Sequence, residues 1–411
     1  MVNRRQLIAA GVGAAAAPPL PGAQLTKKTV AAVVTMYTND GRLNTHANVI
    51  IGRLLNGYAP NGVFTEPRTR LVSMYTDQVP PADLSRSLAG QHGFRIFPTI
   101  REALTLGGGE LAVDAVCFVG EHGNYPVNDR GQKLYPRYEL MERIVEVFRR
   151  AGKSVPVFCD KHFSYSWLKA KQMYEWSREL KFPLMAGSSI PLTVRTPELE
   201  VPFGAGMEGA LMLGYGDLDA YGFHTLESLQ CMVERRRGGE TGIRSVEWLD
   251  GEKVWQWREG AGRWSIPLLE AALARTPAVK PGRMEDNAKA PAALLIDYRD
   301  GLPAVAYMLN GHVSGWTFAG KLKGRVEPIA THFGQPADAA HPRPLAHFDG
   351  LVHCMEEMFV TGKPLYPVER TLLTTCALSM LFESRAWQKR IETPELNIAY
   401  RAPRQAYFQR S

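Results

Sequence analysis

Three short polar segments hold the side chains with which this chain could move protons. Asp160-Lys161-His162 follows the apolar run Val155–Cys159, so an acid, an amine and an imidazole arrive together at the end of one strand. A lysine placed there can be partly buried, have its pKa pulled down, and donate a proton or polarise a hydroxyl. The plainer reading of the same residues is a surface lysine paired with Asp160. Gly222-Phe223-His224-Thr225-Leu226-Glu227 sets a histidine and a glutamate three apart, on one face of a starting helix. Histidine is the usual general base near neutral pH, and a helix-capping histidine is the structural alternative. Gly120-Glu121-His122 follows a second apolar strand that ends at Val119. In an open α/β sheet the carboxyl ends of the strands face one crevice, so these segments are expected to converge.

The elements that must position them can be read from periodicity. Thr29–Met36 is a β-branched apolar run of strand length, followed by a polar loop over Tyr37–Asn44 and an apolar-periodic helix over Ala47–Leu55. Strands at Leu71–Tyr75, Asp114–Val119, Val155–Cys159 and Leu184–Ala186 alternate with helices at Asp83–His92, Thr99–Leu104, Tyr138–Ala151 and Ser166–Lys181. That alternation predicts a doubly wound parallel sheet over residues 27–187. Beyond it, strand-like runs at Arg244–Trp248, Val254–Arg258, Ala293–Asp297, Ala304–Leu309 and Ser314–Leu322 are flanked by helices at His224–Arg236, His347–Phe359 and Glu369–Ser384. Asp250-Gly251 and Asp300-Gly301 sit between such runs as hairpin signals. Residues 188–400 are therefore expected to form an α+β domain with a large, mostly antiparallel sheet. Ala186-Gly187-Ser188-Ser189 at the junction offers hydroxyls to a substrate, or forms the crossing turn.

Composition excludes several classes of function. The chain has 411 residues, 45% of them hydrophobic and 22% charged, with a net charge of +7, so long disordered tracts are excluded and two domains are expected. The basic run Arg235-Arg236-Arg237 is flanked by Glu234 and Glu240 and reads as a helix end, so nucleic acid is not an expected partner. The five cysteines are widely spaced without a Cys-x-x-Cys, which argues against a zinc knuckle or a disulfide framework. Apolar stretches are too short for a transmembrane helix. Residues 1–24 run from Arg4-Arg5 through the apolar Ile8–Ala17 to Pro21-Gly22-Ala23, a twin-arginine type export signal that would place the mature chain in the periplasm.

In their order, these pieces resemble the Gfo/Idh/MocA oxidoreductases. Asp77 after the second strand, Val113-Asp114-Ala115-Val116, His122 and Phe158-Cys159-Asp160-Lys161-His162 match the N-terminal domain of that family. Asp160-Lys161-His162 stands where the family has Glu-Lys-Pro, with the active-site lysine kept. Gly222–Glu227 resembles the family's Gly-x-His-x-x-Asp, whose histidine is the proposed acid/base. Gly362-Lys363-Pro364, Glu369-Arg370-Thr371, Ser384 and Glu392-Thr393-Pro394 resemble its closing helix and strand, so the likeness spans most of residues 29–400.

That resemblance implies a Rossmann-like domain holding NAD or NADP, with Thr38, Asn39, Arg42, Asp77, Glu121 and His122 as cofactor contacts. It implies Lys161, His224 and Asp160 as the catalytic group, and His162, Glu227 and Ser188 against a small-molecule substrate, a sugar or polyol. No metal is implied. It further implies a homo-oligomer paired through the open face of the second sheet. Two departures stand out: the loop Tyr37–Asn44 has one glycine where the family has Gly-x-Gly-x-x-Gly, and Ala220 stands where the family has an acid. Asp217 and Asp219 lie close by. From the residues themselves, a cofactor-free carbohydrate-binding protein and a metal-assisted lyase, isomerase or hydrolase using Glu121, His122, Asp160, His162, His224 and Glu227 stay open beside the oxidoreductase.

Overall fold

The computed structural model describes residues 27–39, 44–335 and 345–410; residues 1–24, where an export signal is expected, and Arg42 lie outside the described residues. Six parallel strands form the first sheet: β1 (Lys28–Met36), β2 (Thr69–Gln78), β3 (Arg95–Ile96), β4 (Ala115–Val119), β5 (Val157–Asp160) and β6 (Leu184–Gly187). Their order is β3-β2-β1-β4-β5-β6, the doubly wound arrangement in which the winding reverses between β1 and β4. A parallel sheet covered on both faces needs strands that are apolar throughout, and β1 obeys this. Val30, Ala32 and Val34 pack towards the helices His46–Asn56 and His347–Thr361, while Ala31 and Val33 pack towards Ile100–Thr105 and Arg137–Ala151. Each such valine or leucine buried in full contributes about 1.5–3 kcal/mol. The helix His347–Thr361, far along the chain, thus completes the first core.

The second sheet has eight strands: β7 (Arg195–Thr196), β8 (Met207–Gly214), β9 (Ile243–Asp250), β10 (Ala292–Tyr298), β11 (Pro303–Met308), β12 (Trp316–Leu322), β13 (Ile329–Phe333) and β14 (Ile391–Glu392). The order is β14-β9-β10-β11-β8-β12-β13-β7, and only β11 and β8 run parallel. Met212, Leu294, Ala306 and Phe318 face the helices Ala220–Val233 and Glu369–Trp387. Leu211, Leu213, Ala293, Val305 and Ala319 point the other way, onto Val254, Trp255, Leu268, Leu269 and Ala272 of the helices Glu252–Glu259 and Ile266–Leu273. The middle of the face that the resemblance would assign to a partner subunit is therefore covered by the chain's own helices, while Glu247, Leu295 and Asp297 on its β9–β10 side stay half-buried.

Two expectations for this half had different outcomes. Asp300-Gly301 closes an antiparallel hairpin between β10 and β11. Val254–Arg258 is helical instead of extended, and Gly251, at φ 58° and ψ −130°, starts that helix rather than a hairpin. The cause lies in its residues: Glu252, Lys253, Gln256, Arg258 and Glu259 are good helix formers, and Val254 and Trp255 are its buried side chains.

Candidate active site

A cavity of about 580 Å³ opens where the ends of β1, β4, β5 and β6 meet the first turns of the helices Ala220–Val233 and His347–Thr361. Lys161 follows β5 directly and holds a left-handed backbone (φ 66°), with its N–H donating to the Gly187 carbonyl (3.1 Å). A non-glycine residue held there costs about 1–3 kcal/mol, a strain that recurs at functional sites. The turn aims the Lys161 ammonium at His224, Nζ to Nε2 at 2.8 Å. His224 is buried on its helix, and its Nδ1 meets Ser188 Oγ at 2.6 Å. Burial, reinforced by the Lys161 cation, holds the His224 imidazole well below its ordinary pKa. A neutral ring accepting from Lys161 at Nε2 donates from Nδ1 to Ser188 Oγ, which also accepts from the Ile190 N–H (3.0 Å).

Beneath the pair lies a buried ionic cluster. Glu121 Oε1 is 3.5 Å from Lys161 Nζ, and Glu121 Oε2 receives Arg137, whose guanidinium also donates to His162 Nε2 at 3.2 Å. Burial alone would raise the Glu121 carboxyl, yet the Lys161 and Arg137 cations together hold it well below the usual carboxylate range. Burial and then Arg137 hold His162 neutral. His122, also left-handed (φ 71°), is lowered to about 4 by burial, and burial lowers His347 to about 3. Five of the chain's 10 histidines, His46, His122, His162, His224 and His347, line this one cavity. Tyr215, Tyr221 and Trp316 form an aromatic wall beside His224, with Tyr221 stacked on Trp316 at 5.4 Å.

The residues singled out in the sequence fall into three groups. Lys161, His224, Glu121, His122 and His162 come together around the cavity. Asp160, Ser188 and Glu227 support it from behind: Asp160 Oδ2 lies 2.7 Å from His46 Nδ1, and Glu227 accepts from the Ser188 N–H (3.1 Å) and from Thr374 Oγ1 (3.0 Å). A side chain on Gly187 (φ 122°) would collide with Glu227 and Thr371, so this junction needs glycine. Thr38, Asn39 and Asp77 stand apart. Thr38 exchanges bonds with Thr45, Asn39 pairs with Asn44, and Asp77 accepts from Tyr75 (2.9 Å) and Tyr125 (2.6 Å). Arg137, His46, His347, Tyr221 and Trp316 were not foreseen. The one signal available for Arg137 was Tyr135-Pro136-Arg137, an arginine opening a helix right after a polar segment. Among the described residues, no three His, Cys, Asp or Glu side chains are grouped to hold a metal ion, all five cysteines are free and buried, and no helix is long and apolar enough to cross a membrane.

GenD2 from gentamicin A biosynthesis, crystallised with NAD, aligns over 92% of this chain and 99% of its own at a TM-score of 0.56 and 13% identity. Myo-inositol 2-dehydrogenase from Lactobacillus plantarum aligns over 89% and 99% at a TM-score of 0.54 and 12% identity. An oxidoreductase from Agrobacterium radiobacter, crystallised with NAD+, L-tartaric acid and magnesium, aligns over 89% and 98% at 0.54 and 12%. The chain has the two-sheet fold of these proteins, as the resemblance implied. No protein-family model matches the sequence, and no curated protein matches it.

Proposed function

We propose that the protein is an NAD(P)-dependent oxidoreductase acting on a sugar or polyol-like small molecule, with Lys161 and His224 in proton transfer. The observation that carries this reading is the 2.8 Å Lys161–His224 contact at a cleft of this fold. Beside the Lys161 cation and so deeply buried, His224 rests as the neutral imidazole, so its Nε2 is the group able to take up a proton. A substrate hydroxyl entering between them receives a hydrogen bond from the ammonium and gives its proton to His224 Nε2. Glu121 keeps the ammonium in place, Ser188 fixes the imidazole, and the Tyr221–Trp316 wall suits the apolar face of a sugar ring.

The chain's fit to a dinucleotide is uneven. Asp77, exposed at the end of β2, suits ribose hydroxyls. At the start of the helix His46–Asn56, however, two amides that would face a diphosphate are engaged, His46 with His122 Nδ1 and Asn48 with Thr45 Oγ1, each at 3.3 Å. Thr38, Asn39 and Arg42 complete the proposed contacts. When bound, NAD(P) would supply the hydride acceptor. This reading includes export through the twin-arginine route in the folded state, and a homo-oligomer.

The test is to denature the folded, purified protein and analyse the released small molecules by mass spectrometry, with NADH and NADPH titrations alongside. Release or saturable binding of NAD(P), followed by turnover of a sugar or polyol, is expected. A protein that neither releases nor binds NAD(P) would favour a second reading, a cofactor-free carbohydrate-binding protein. The aromatic wall and the occupied Asp77 carboxylate support that alternative.

A further inference from the structure

We infer that the segment Glu121–Tyr135 is a strap across the dinucleotide crevice, in which the Tyr125 hydroxyl occupies the place of a ribose hydroxyl on Asp77, so that nucleotide must displace it. The inference rests on the dinucleotide reading above. Its basis is a path through the fold. β4 neighbours β1, and β1 neighbours β2, so a chain leaving β4 reaches the end of β2 only by crossing the end of β1. The segment makes that crossing and is fastened at each step. Thr35 Oγ1 of β1 donates to the Glu121 carbonyl (2.8 Å), and the His46 N–H donates to His122 Nδ1 (3.3 Å). Gln78 and Asn124 exchange two bonds, Nε2 to the Asn124 carbonyl at 3.1 Å and the Asn124 N–H to Oε1 at 2.8 Å. Tyr125 then donates to Asp77 Oδ2 at 2.6 Å. Gly123, at φ 127°, makes the bend possible, because a Cβ there would strike the Tyr125 ring.

A carboxylate at the end of the second strand of such a sheet is the ordinary acceptor for ribose hydroxyls, and a phenol donates to it in the same way. The far half of the strap lies elsewhere. The Lys133 N–H donates to Asp219 Oδ2 (2.9 Å), Arg130 reaches Glu383 (3.1 Å), and Val127, Gly131, Lys133 and Tyr135 line the substrate cavity. One continuous segment therefore touches the Asp77 carboxylate at one end and the cavity wall at the other. Displacing Tyr125 from Asp77 loosens that wall, so nucleotide binding changes the cavity that takes the substrate.

The test is titration of wild type and Tyr125→Phe with NADH and NADPH by fluorescence, together with amide hydrogen exchange of residues 122–134 with and without nucleotide. Removing a competing charge-assisted bond is expected to tighten binding roughly tenfold in the variant. Saturating nucleotide is expected to speed exchange across the wild-type strap. Equal affinity of the two proteins, or a strap whose exchange nucleotide leaves unchanged, overturns the inference while the cofactor reading stands. Absence of binding in both proteins overturns the cofactor reading and the strap with it.

Discussion

On the two sides of the crevice, acidic side chains are used in opposite ways. Glu121, after β4, is buried between two cations and its position is fixed by them. Asp77, at the end of β2, is exposed and satisfied by two tyrosine hydroxyls, one of them from the strap. A carboxylate at a strand end thus serves as a permanent structural charge in one place and as an exchangeable acceptor in the other. The difference is one of burial, which sets how much each is worth to folding and how readily a ligand could claim it.

The largest expected effect is on chemistry at the buried side. Lys161→Ala should lower the rate of substrate oxidation by about 10²–10⁴-fold, the usual contribution of a positioned proton-transfer group, with a smaller change in ligand affinity. Lys161→Arg should not rescue it, since the longer, planar guanidinium cannot take the place of the compact ammonium between Glu121 and His224. Kinetics with a substrate identified by screening would check this, and a loss below about tenfold would remove the lysine from proton transfer.

Next comes stability. Glu121→Gln leaves Arg137 and Lys161 buried without their counter-charge and should cost about 3–5 kcal/mol in urea unfolding. A cost near zero would break the contrast with Asp77.

Acid should weaken the same side. His122 is lowered from 6.5 to about 4, and His162 and His224 lie well below their ordinary value. His347 is lowered further, to about 3. Each ring stays neutral in the folded chain while the unfolded chain takes up protons, so their stabilisation is whole above pH 6.5 and is lost as pH falls through the folded values. For His122 alone this amounts to on the order of 3 kcal/mol. Asp219, raised to about 6 by burial, acts in the opposite sense, gaining as pH falls. Glu227, also raised by burial, acts in the same sense, and two such acids against four histidines leave a net loss, so the urea midpoint should drop between pH 6.5 and about 4. A midpoint flat across that range would mean the rings are not neutral and buried as described.

Much of this site could be read in the sequence because parallel strands announce themselves. Ala115–Val119 and Val157–Cys159 are short, apolar and soon followed by charged residues, so Glu121, Lys161 and His162 could be placed at one edge without coordinates. β8 went unread. Met207–Gly214 has two glycines and no β-branched residue, and it lies in the sheet interior, where packing decides rather than propensity. His347 and Arg137 also went unread, since the cavity gathers residues remote in sequence and nothing local marks which polar side chains will be buried. That gap explains why Glu121 and Asp77 were assigned one role and turned out to have different surroundings.

The smallest expected effect sharpens the comparison most directly. Asp77→Asn keeps shape and acceptor capacity at one oxygen but removes the charge. Because the side chain is exposed, its bonds to Tyr75 and Tyr125 compete with water, and unfolding should shift by less than about 1 kcal/mol, well under the Glu121→Gln cost. Nucleotide affinity should respond differently for the two cofactors. NADH loses a carboxylate partner for its ribose and should bind several-fold more weakly. NADPH places a phosphate where the charge stood and should bind less weakly by comparison, or better. The ratio of the two affinities is therefore the quantity to measure. If Asp77→Asn moves neither that ratio nor the stability, the exposed carboxylate has no part in nucleotide binding, and the polar chemistry of this crevice resides wholly on its buried side.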